Sequence, residues 1–328
     1  MPLMKAAVYE ELGPARVVHV IEIDRPDPGP GEVRVRVEVS GVNPTDWKGR
    51  AAGPGKSMPF DYVVPNQDGA GVIDAVGEGV DPSRLGERVW IWLGQWQRQH
   101  GTAAEWICLP AHQAVRLPDL TSFELGASLG IPALTAAYAL FVDGPLDGQT
   151  VLVSGGAGAV GHYAIELARR RGARVVTTVS SPEKAALARA AGADVVVDYR
   201  SEDAADAIRA ACPGGVDRVI EVAPSNIDLD ARVLRQPHGV AVFYASAGDD
   251  PTLPVRSLMS LNATFRFMLI YTVDAEELRR AVTEVSDALT AGALTELPLH
   301  RFPLEKTAEA HQAVEDGVVG KVIVDLGG

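Results

Sequence analysis

The residues best suited to chemistry lie at mid-chain, in Gly155-Gly156-Ala157-Gly158-Ala159-Val160-Gly161. Gly156, Gly158 and Gly161 keep a G-x-G-x-x-G register. The run before them, Thr150-Val151-Leu152-Val153, is apolar and rich in β-branched residues and reads as a buried strand. Behind them Val160, Ala164, Ile165, Leu167 and Ala168 recur at the spacing of one helix face, and Gly172 stands where a helix stops. A second strand follows in Arg174-Val175-Val176-Thr177-Thr178-Val179. A glycine-rich stretch alone is only a turn. Between a strand and a helix it allows a tight turn and close backbone approach to a pyrophosphate, with a helix N-terminus aimed at negative charge. A dinucleotide site is the expectation.

The end of the second strand indicates which dinucleotide. Folds that take NAD usually place an acid there for the ribose hydroxyls. This chain has Ser180-Ser181, then Lys184 on the first turn of the next helix, with Tyr199-Arg200 closing the following strand. Hydroxyls and a cation suit a 2′-phosphate, so the cofactor expected is NADPH, with Ser180, Ser181, Lys184 and Tyr199 around its phosphate.

The elements that position these residues follow from the rest of the chain. With 328 residues, two domains are expected, and 47% hydrophobic against 22% charged residues is ordinary for a protein with a substantial core. A net charge of −13 argues against nucleic acid or an anionic membrane as partner, because both attract basic surfaces. Two cysteines, Cys108 and Cys212, build neither a disulfide framework nor a multi-cysteine metal site and read as small buried hydrophobes. The N-terminus lacks the apolar core of a signal peptide, and no apolar stretch reads as long enough to cross a bilayer, so a cytoplasmic location is expected.

Residues 1–120 carry short strands punctuated by Gly and Pro, such as Val33-Arg34-Val35-Arg36-Val37-Glu38-Val39, and suggest a barrel-like domain. Residues 124–141 look helical with a turn at Gly130-Ile131-Pro132. From Thr150 onward strands and helices alternate, including a helix over 201–211, which predicts a doubly wound parallel sheet. Residues 274–291 read as an amphipathic helix, and Lys321-Val322-Ile323-Val324-Asp325-Leu326 as a returning strand.

A β-rich first half, a nucleotide fold behind it and a returning strand, together with five short motifs, resemble the medium-chain dehydrogenase/reductase superfamily, and within it the zinc-independent quinone oxidoreductase (ζ-crystallin-like) branch. The motifs are Gly41-Val42-Asn43-Pro44-Thr45-Asp46, Pro65-Asn66-Gln67-Asp68-Gly69-Ala70-Gly71-Val72, Gly130-Ile131-Pro132-Ala133-Leu134-Thr135-Ala136, the glycine loop, and Gly192-Ala193-Asp194 with Asp198-Tyr199. The resemblance implies an α/β protein: a GroES-like catalytic domain over 1–123, a Rossmann NADPH-binding domain over 124–271, and a return segment over 272–328 that completes the catalytic domain. It also implies a cleft between the domains, with Asn43 and Asp46 beside the nicotinamide, Thr135 on the helix facing it, and the Phe243-Tyr244-Ala245 backbone meeting its carboxamide. Taken alone, Asn43-Pro44-Thr45-Asp46 reads as a capped turn entering a helix, Thr135 as a helix hydroxyl, and Phe243-Tyr244-Ala245 as a strand with buried aromatics.

Zinc-dependent members carry ligands at the Asn43 and Gln67-Asp68 segments; here neither has His or Cys, so no metal is expected. Hydride transfer then needs geometry and hydrogen-bond donors for the developing charge, and Asn43 is the candidate donor. Trp47, Trp92 and Trp96 are candidates to wall a pocket for a flat substrate, whereas Trp106 reads as core. His100 and His162 read as satisfied or surface histidines. The activity expected is NADPH-dependent reduction of a quinone. The alternatives are an α,β-unsaturated carbonyl as acceptor, or a non-catalytic NADPH-binding protein. The apolar run Thr264-Phe265-Arg266-Phe267-Met268-Leu269-Ile270-Tyr271 predicts a sheet edge that pairs with a second copy in a homodimer.

Overall fold

The computed structural model describes residues 2–200, 203–246 and 251–327. Two compact units form: Met1–Ile131 with Glu296–Gly328, and Pro132–Thr295. In chain order the first unit holds β1 (Leu3–Val8), β2 (His19–Asp24), β3 (Glu32–Val42), α1 (Pro44–Arg50), β4 (Asp68–Val76), β5 (Arg88–Ile91), β6 (Trp106–Pro110) and β7 (Ala114–Arg116). Helix α2 (Phe123–Phe141) runs from the first unit into the second. The second unit holds β8 (Thr150–Val153), α3 (Ala159–Arg170), β9 (Arg174–Val179), α4 (Pro182–Ala190), β10 (Val195–Asp198), α5 (Ala204–Ala211), β11 (Arg218–Glu221), α6 (Ile227–Val233), β12 (Val240–Phe243), α7 (Val255–Met259), β13 (Thr264–Phe267) and α8 (Ala275–Thr290). The chain then returns to the first unit with β14 (Leu299–Pro303), α9 (Thr307–Glu315) and β15 (Lys321–Asp325).

In the β-rich unit the long strand β3 pairs antiparallel with β4, β6 and β15. The alternation read from its sequence holds: Val33, Val35, Val37 and Val39 are buried. Arg34 is the exception, turned inward and neutralised by Asp27 and Asp74. In the second unit the six strands are all parallel, in the order β10-β9-β8-β11-β12-β13. Their buried apolar runs are those of a sheet covered on both faces.

Three expectations need adjusting. Helix α2 has no turn at Gly130-Ile131-Pro132; it continues through Pro132. Pro132 lacks an N–H, and the preceding N–H, of Ile131, donates to Asp68 Oδ1 at 2.8 Å, so the sequence signal for a break is real but local. Helix α2 is also long and apolar enough to cross a membrane, contrary to the sequence reading, but it is largely buried within the protein. Finally, α8 lies in the nucleotide-type unit, where Leu278, Ala281 and Val285 are buried and Glu284 pairs with Arg171; the return begins at Glu296 rather than 272. The helix expected from residue 201 is described from Ala204, with Asp203 as its cap, and residues 201–202 lie outside the described residues.

Candidate functional site

The glycine loop joins β8 to α3 as the spacing requires. Gly156 packs so closely against β9 that a Cβ there would sit 2.1 Å from Thr177 Oγ1. Gly158 is the N-cap of α3 and offers no side-chain oxygen, and the first turn carries no acid. The first helical bond near the start runs from His162 N–H to Gly158 O, at 2.8 Å. The amides of Ala159, Val160 and Gly161 therefore have the unpaired position of every helix N-terminus, where an anion is favoured. A cavity of about 500 Å³ opens at the same strand ends, lined among others by Ser154, Gly155, Thr178, Tyr199, Glu221 and Asn226. The tight glycine turn and the helix N-terminus beside it fit a dinucleotide.

The residues expected around a 2′-phosphate come together. Ser181 caps α4, accepting from Lys184 N–H, and Lys184 Nζ donates to Ser180 Oγ at 3.1 Å. Tyr199 N–H donates to Val179 O at 3.2 Å, which holds the half-exposed Tyr199 at the same strand ends. Phe243 is buried and stacked on Phe267 with centroids 5.0 Å apart; its carbonyl accepts from Met268 N–H, and Tyr244 N–H donates to Glu221 O. Ala245 follows, half-buried. Thr135 is buried on α2.

Sequence reasoning missed a pair of acids on this unit. Glu221 ends β11, where its carboxylate accepts from Ala223 N–H and Asn226 Nδ2. Asp230 on α6 lies beside it, fully buried, and is pushed up by burial and then by the Glu221 charge.

The β-rich unit holds a second polar cluster. Asn43 caps α1, and Asp46 Oδ2 accepts from its N–H at 2.7 Å. The Asn43 amide points inward: Nδ2 donates to Asp68 Oδ2 at 2.6 Å, and Oδ1 accepts from Lys321 Nζ at 2.7 Å. Lys321 Nζ lies 3.7 Å from Asp68 Oδ2. All four side chains are buried, Asp68 completely. Burial, followed by the Asp68 charge, pushes Asp46 up to about 8; burial also raises Asp68 and lowers Lys321. Asn43, expected as a donor to substrate, has both ends of its amide engaged by protein groups. Lys321 and Asp68 gave no separate signal, because 278 residues part Lys321 from Asn43 and only the β15–β3 pairing joins them.

The aromatic residues divide. Trp92 is only 4% exposed and lies edge-on to His112. Trp47 and Trp96 are half-buried, and Lys48 Nζ lies over the Trp47 ring. Trp106 is also half-buried, its indole donating to Asp74 Oδ2. His100 Nε2 is 3.1 Å from Tyr62 Oη, and His162 sits against Glu166 and Thr295. Cys212 is buried, and burial pushes the Cys108 thiol up to about 12, which leaves it unreactive.

Residues 29–119 match the alcohol dehydrogenase GroES-like domain, and residues 159–287 match the zinc-binding dehydrogenase family. Human quinone oxidoreductase is 29% identical over 99% of this chain and 98% of its own. A solved mycobacterial quinone oxidoreductase is 30% identical, with a TM-score of 0.85 over 98% of this chain and 99% of that one. A mycobacterial structure in complex with NADPH matches equally, at 30% identity and TM-score 0.85 over 98% of this chain and 100% of that one. The chain belongs to the quinone oxidoreductase (ζ-crystallin-like) family of the medium-chain dehydrogenase/reductase superfamily.

Proposed function

We propose that this protein is a zinc-independent, NADPH-dependent reductase of conjugated carbonyls, with a quinone as the default acceptor and an α,β-unsaturated carbonyl as the alternative. As a member of its family it is an oxidoreductase that works with NADPH. The observation that carries the finer reading is the Lys321 ammonium between Asn43 and Asp68. The segments that hold metal ligands in zinc-dependent members offer here an amide and carboxylates, already closed around a cation. That set, without His or Cys, does not fit Zn²⁺. Alcohol oxidation that depends on a metal Lewis acid is therefore a poor fit, and a conjugated acceptor, which needs only hydride and a proton, is a good one.

NADPH, when bound, supplies the hydride. The amides of Ala159, Val160 and Gly161 would hold its diphosphate, and Ser180, Ser181, Lys184 and Tyr199 its 2′-phosphate. Trp47 and Trp96 would edge the acceptor site, where a flat ring stacks well. Asn43 and Lys321 act as positioning groups that set the charge of the buried cluster. Two copies pair through the β13 edge, supported by exposed Phe267 and Leu269 there and Leu253, Val255 and Met259 nearby in sequence. NADPH consumption by chelator-washed protein, with a quinone, an alkenal and an alcohol/NADP⁺ pair, tests the activity. Elemental analysis of the same active sample tests the metal: stoichiometric zinc would refute that part. Tight NADPH binding without turnover of any acceptor would favour the non-catalytic alternative.

A further inference from the structure

The loop that leads from α2 into β8, together with the helices beside it, encloses a second cavity, of about 380 Å³. Its lining residues all lie between Ala137 and Glu284, within the nucleotide-type unit. The loop, residues 142–149, enters β8 at Thr150, the end opposite to the one that the glycine loop leaves. Arg171, on the lining, is the C-cap of α3, whose twelve residues put it roughly 18 Å from the amides at the N-terminus of that helix. In a parallel sheet these are opposite edges. The cavity shares no lining residue with the one that fits a dinucleotide and is a separate place in the fold.

The floor is apolar: Ala137, Leu146 and Ala281 are buried and Phe141 is half-buried. The volume falls near the lower end of small-molecule sites, roughly 300–1,000 Å³, so an occupant must be compact. The rim is charged. Arg171 is clamped by Glu284, through Nε at 3.2 Å and Nη2 at 2.5 Å, and its Cζ lies 5.8 Å from the centroid of the Phe141 ring. Arg280 pairs with Glu276, one turn away on α8. Each arginine of the lining is thus matched by a carboxylate, and Asp147 and Glu277 remain as excess negative charge. Glu277 is hydrogen-bonded to the Tyr138 hydroxyl, which also meets Arg266, and Arg266 is itself held by Asp143 at 2.7 Å. Such a rim repels phosphates and carboxylates, which rules out a second dinucleotide or an acyl thioester of a nucleotide. Among the described residues no group of three or more His, Cys, Asp or Glu side chains is placed to hold a metal ion, and the apolar floor would offer one nothing.

We propose that this cavity is a binding site for a compact organic cation. A ring or branched apolar body fills the floor over Ala137, Leu146 and Ala281, and a protonated amine meets Asp147 and Glu277 at the rim. The aromatic residues suit such a ligand, because ring faces attract cations, as Arg171 over Phe141 already does. The site stands on its own residues and does not depend on the reductase reading.

The test uses the full chain and three probes that share a phenylalkyl body and differ in charge: 2-phenylethylamine hydrochloride, 3-phenylpropan-1-ol and sodium 3-phenylpropanoate. Ligand-observed NMR titration reads Kd for each, without cofactor and with saturating NADPH. The amine is expected to bind with a Kd of about 1 mM or tighter, and the alcohol and carboxylate about tenfold or more weakly. Saturation with NADPH should leave the amine Kd within about threefold, as for a separate site. Asp147→Asn, at an exposed position, should weaken the amine about twofold to fivefold and leave the alcohol unchanged, and adding Glu277→Gln should bring the loss to about tenfold. Ala281→Leu, which fills the floor, should abolish binding of the amine. If Ala281→Leu does not fold, the two charge variants decide the matter. Absence of amine binding overturns the proposal, as does equal binding of all three probes, which would mark a merely apolar hollow. Amine binding that survives the charge variants places the probe elsewhere on an acidic surface, and amine binding lost to NADPH places it in the cofactor cavity; either result also overturns the proposal.

Discussion

Asn43 and Lys184 behave differently at the residue scale although both were candidates from the sequence. Lys184 needs only its own helix start to reach Ser180, so local spacing suffices to find it. Removing its charge should weaken NADPH far more than NADH: Lys184→Ala is expected to raise NADPH Kd roughly tenfold or more, as for loss of a charge-assisted contact, with NADH changed little. Fluorescence titration checks this, and equal weakening of both cofactors would remove Lys184 from the phosphate site. Asn43 depends on Asp68 and Lys321, which local spacing cannot reveal. In the same cluster Asp46 is held up to about 8, first by burial. A carboxyl raised in the folded state contributes stability that is full below its unfolded value, near 4, and lost as pH rises through about 8. Asp46→Asn keeps an oxygen for the Asn43 N–H and removes that titration. The melting temperature of the variant should therefore gain on wild type from pH 5 to pH 8, and parallel curves would show that Asp46 is not the titrating group.

At the scale of elements, helix α2 shows how much the sequence carries. Its start, end and apolar character are legible, yet its continuity past Pro132 is not, and neither is the bond from Ile131 N–H to Asp68 on β4, 63 residues away. The same contact makes Gly130 a tight fit: a Cβ there would lie 2.1 Å from Asp68 Oδ1. Gly130→Ala gains up to about 1 kcal/mol of helix propensity, but the clash falls on a buried, triply engaged carboxylate. Overpacking should win, with a net loss of about 1–3 kcal/mol by denaturant unfolding. A stabilised variant would show that the helix and β4 can move apart freely. The strands β3, β8 and β9 were readable for a simpler reason: their apolar patterns match the period and length of buried strands, and no distant partner is needed to see it. The bounds of α8 in the chain were readable too, but its membership of the second unit follows from pairings such as Arg171 with Glu284, 113 residues apart.

For the whole molecule, the parallel sheet ends in the short strand β13, whose outer edge is unpaired among the described residues. Light scattering at micromolar concentration should give twice the mass of the chain, and Phe267→Lys should shift it towards one chain without disturbing the nucleotide unit. A monomer in wild type would count against the pairing. The order of parts, with the nucleotide fold set between two stretches of β-rich unit, was legible because the glycine loop fixes one unit and the returning strand closes the other. The central claim concerns the reaction, and the most direct measurement is kcat/KM of chelator-washed protein for NADPH oxidation with 9,10-phenanthrenequinone, set beside a primary alcohol with NADP⁺. The account predicts robust, zinc-independent turnover of the quinone and none of the alcohol. Alcohol oxidation without any activity on the quinone or on an alkenal would contradict it.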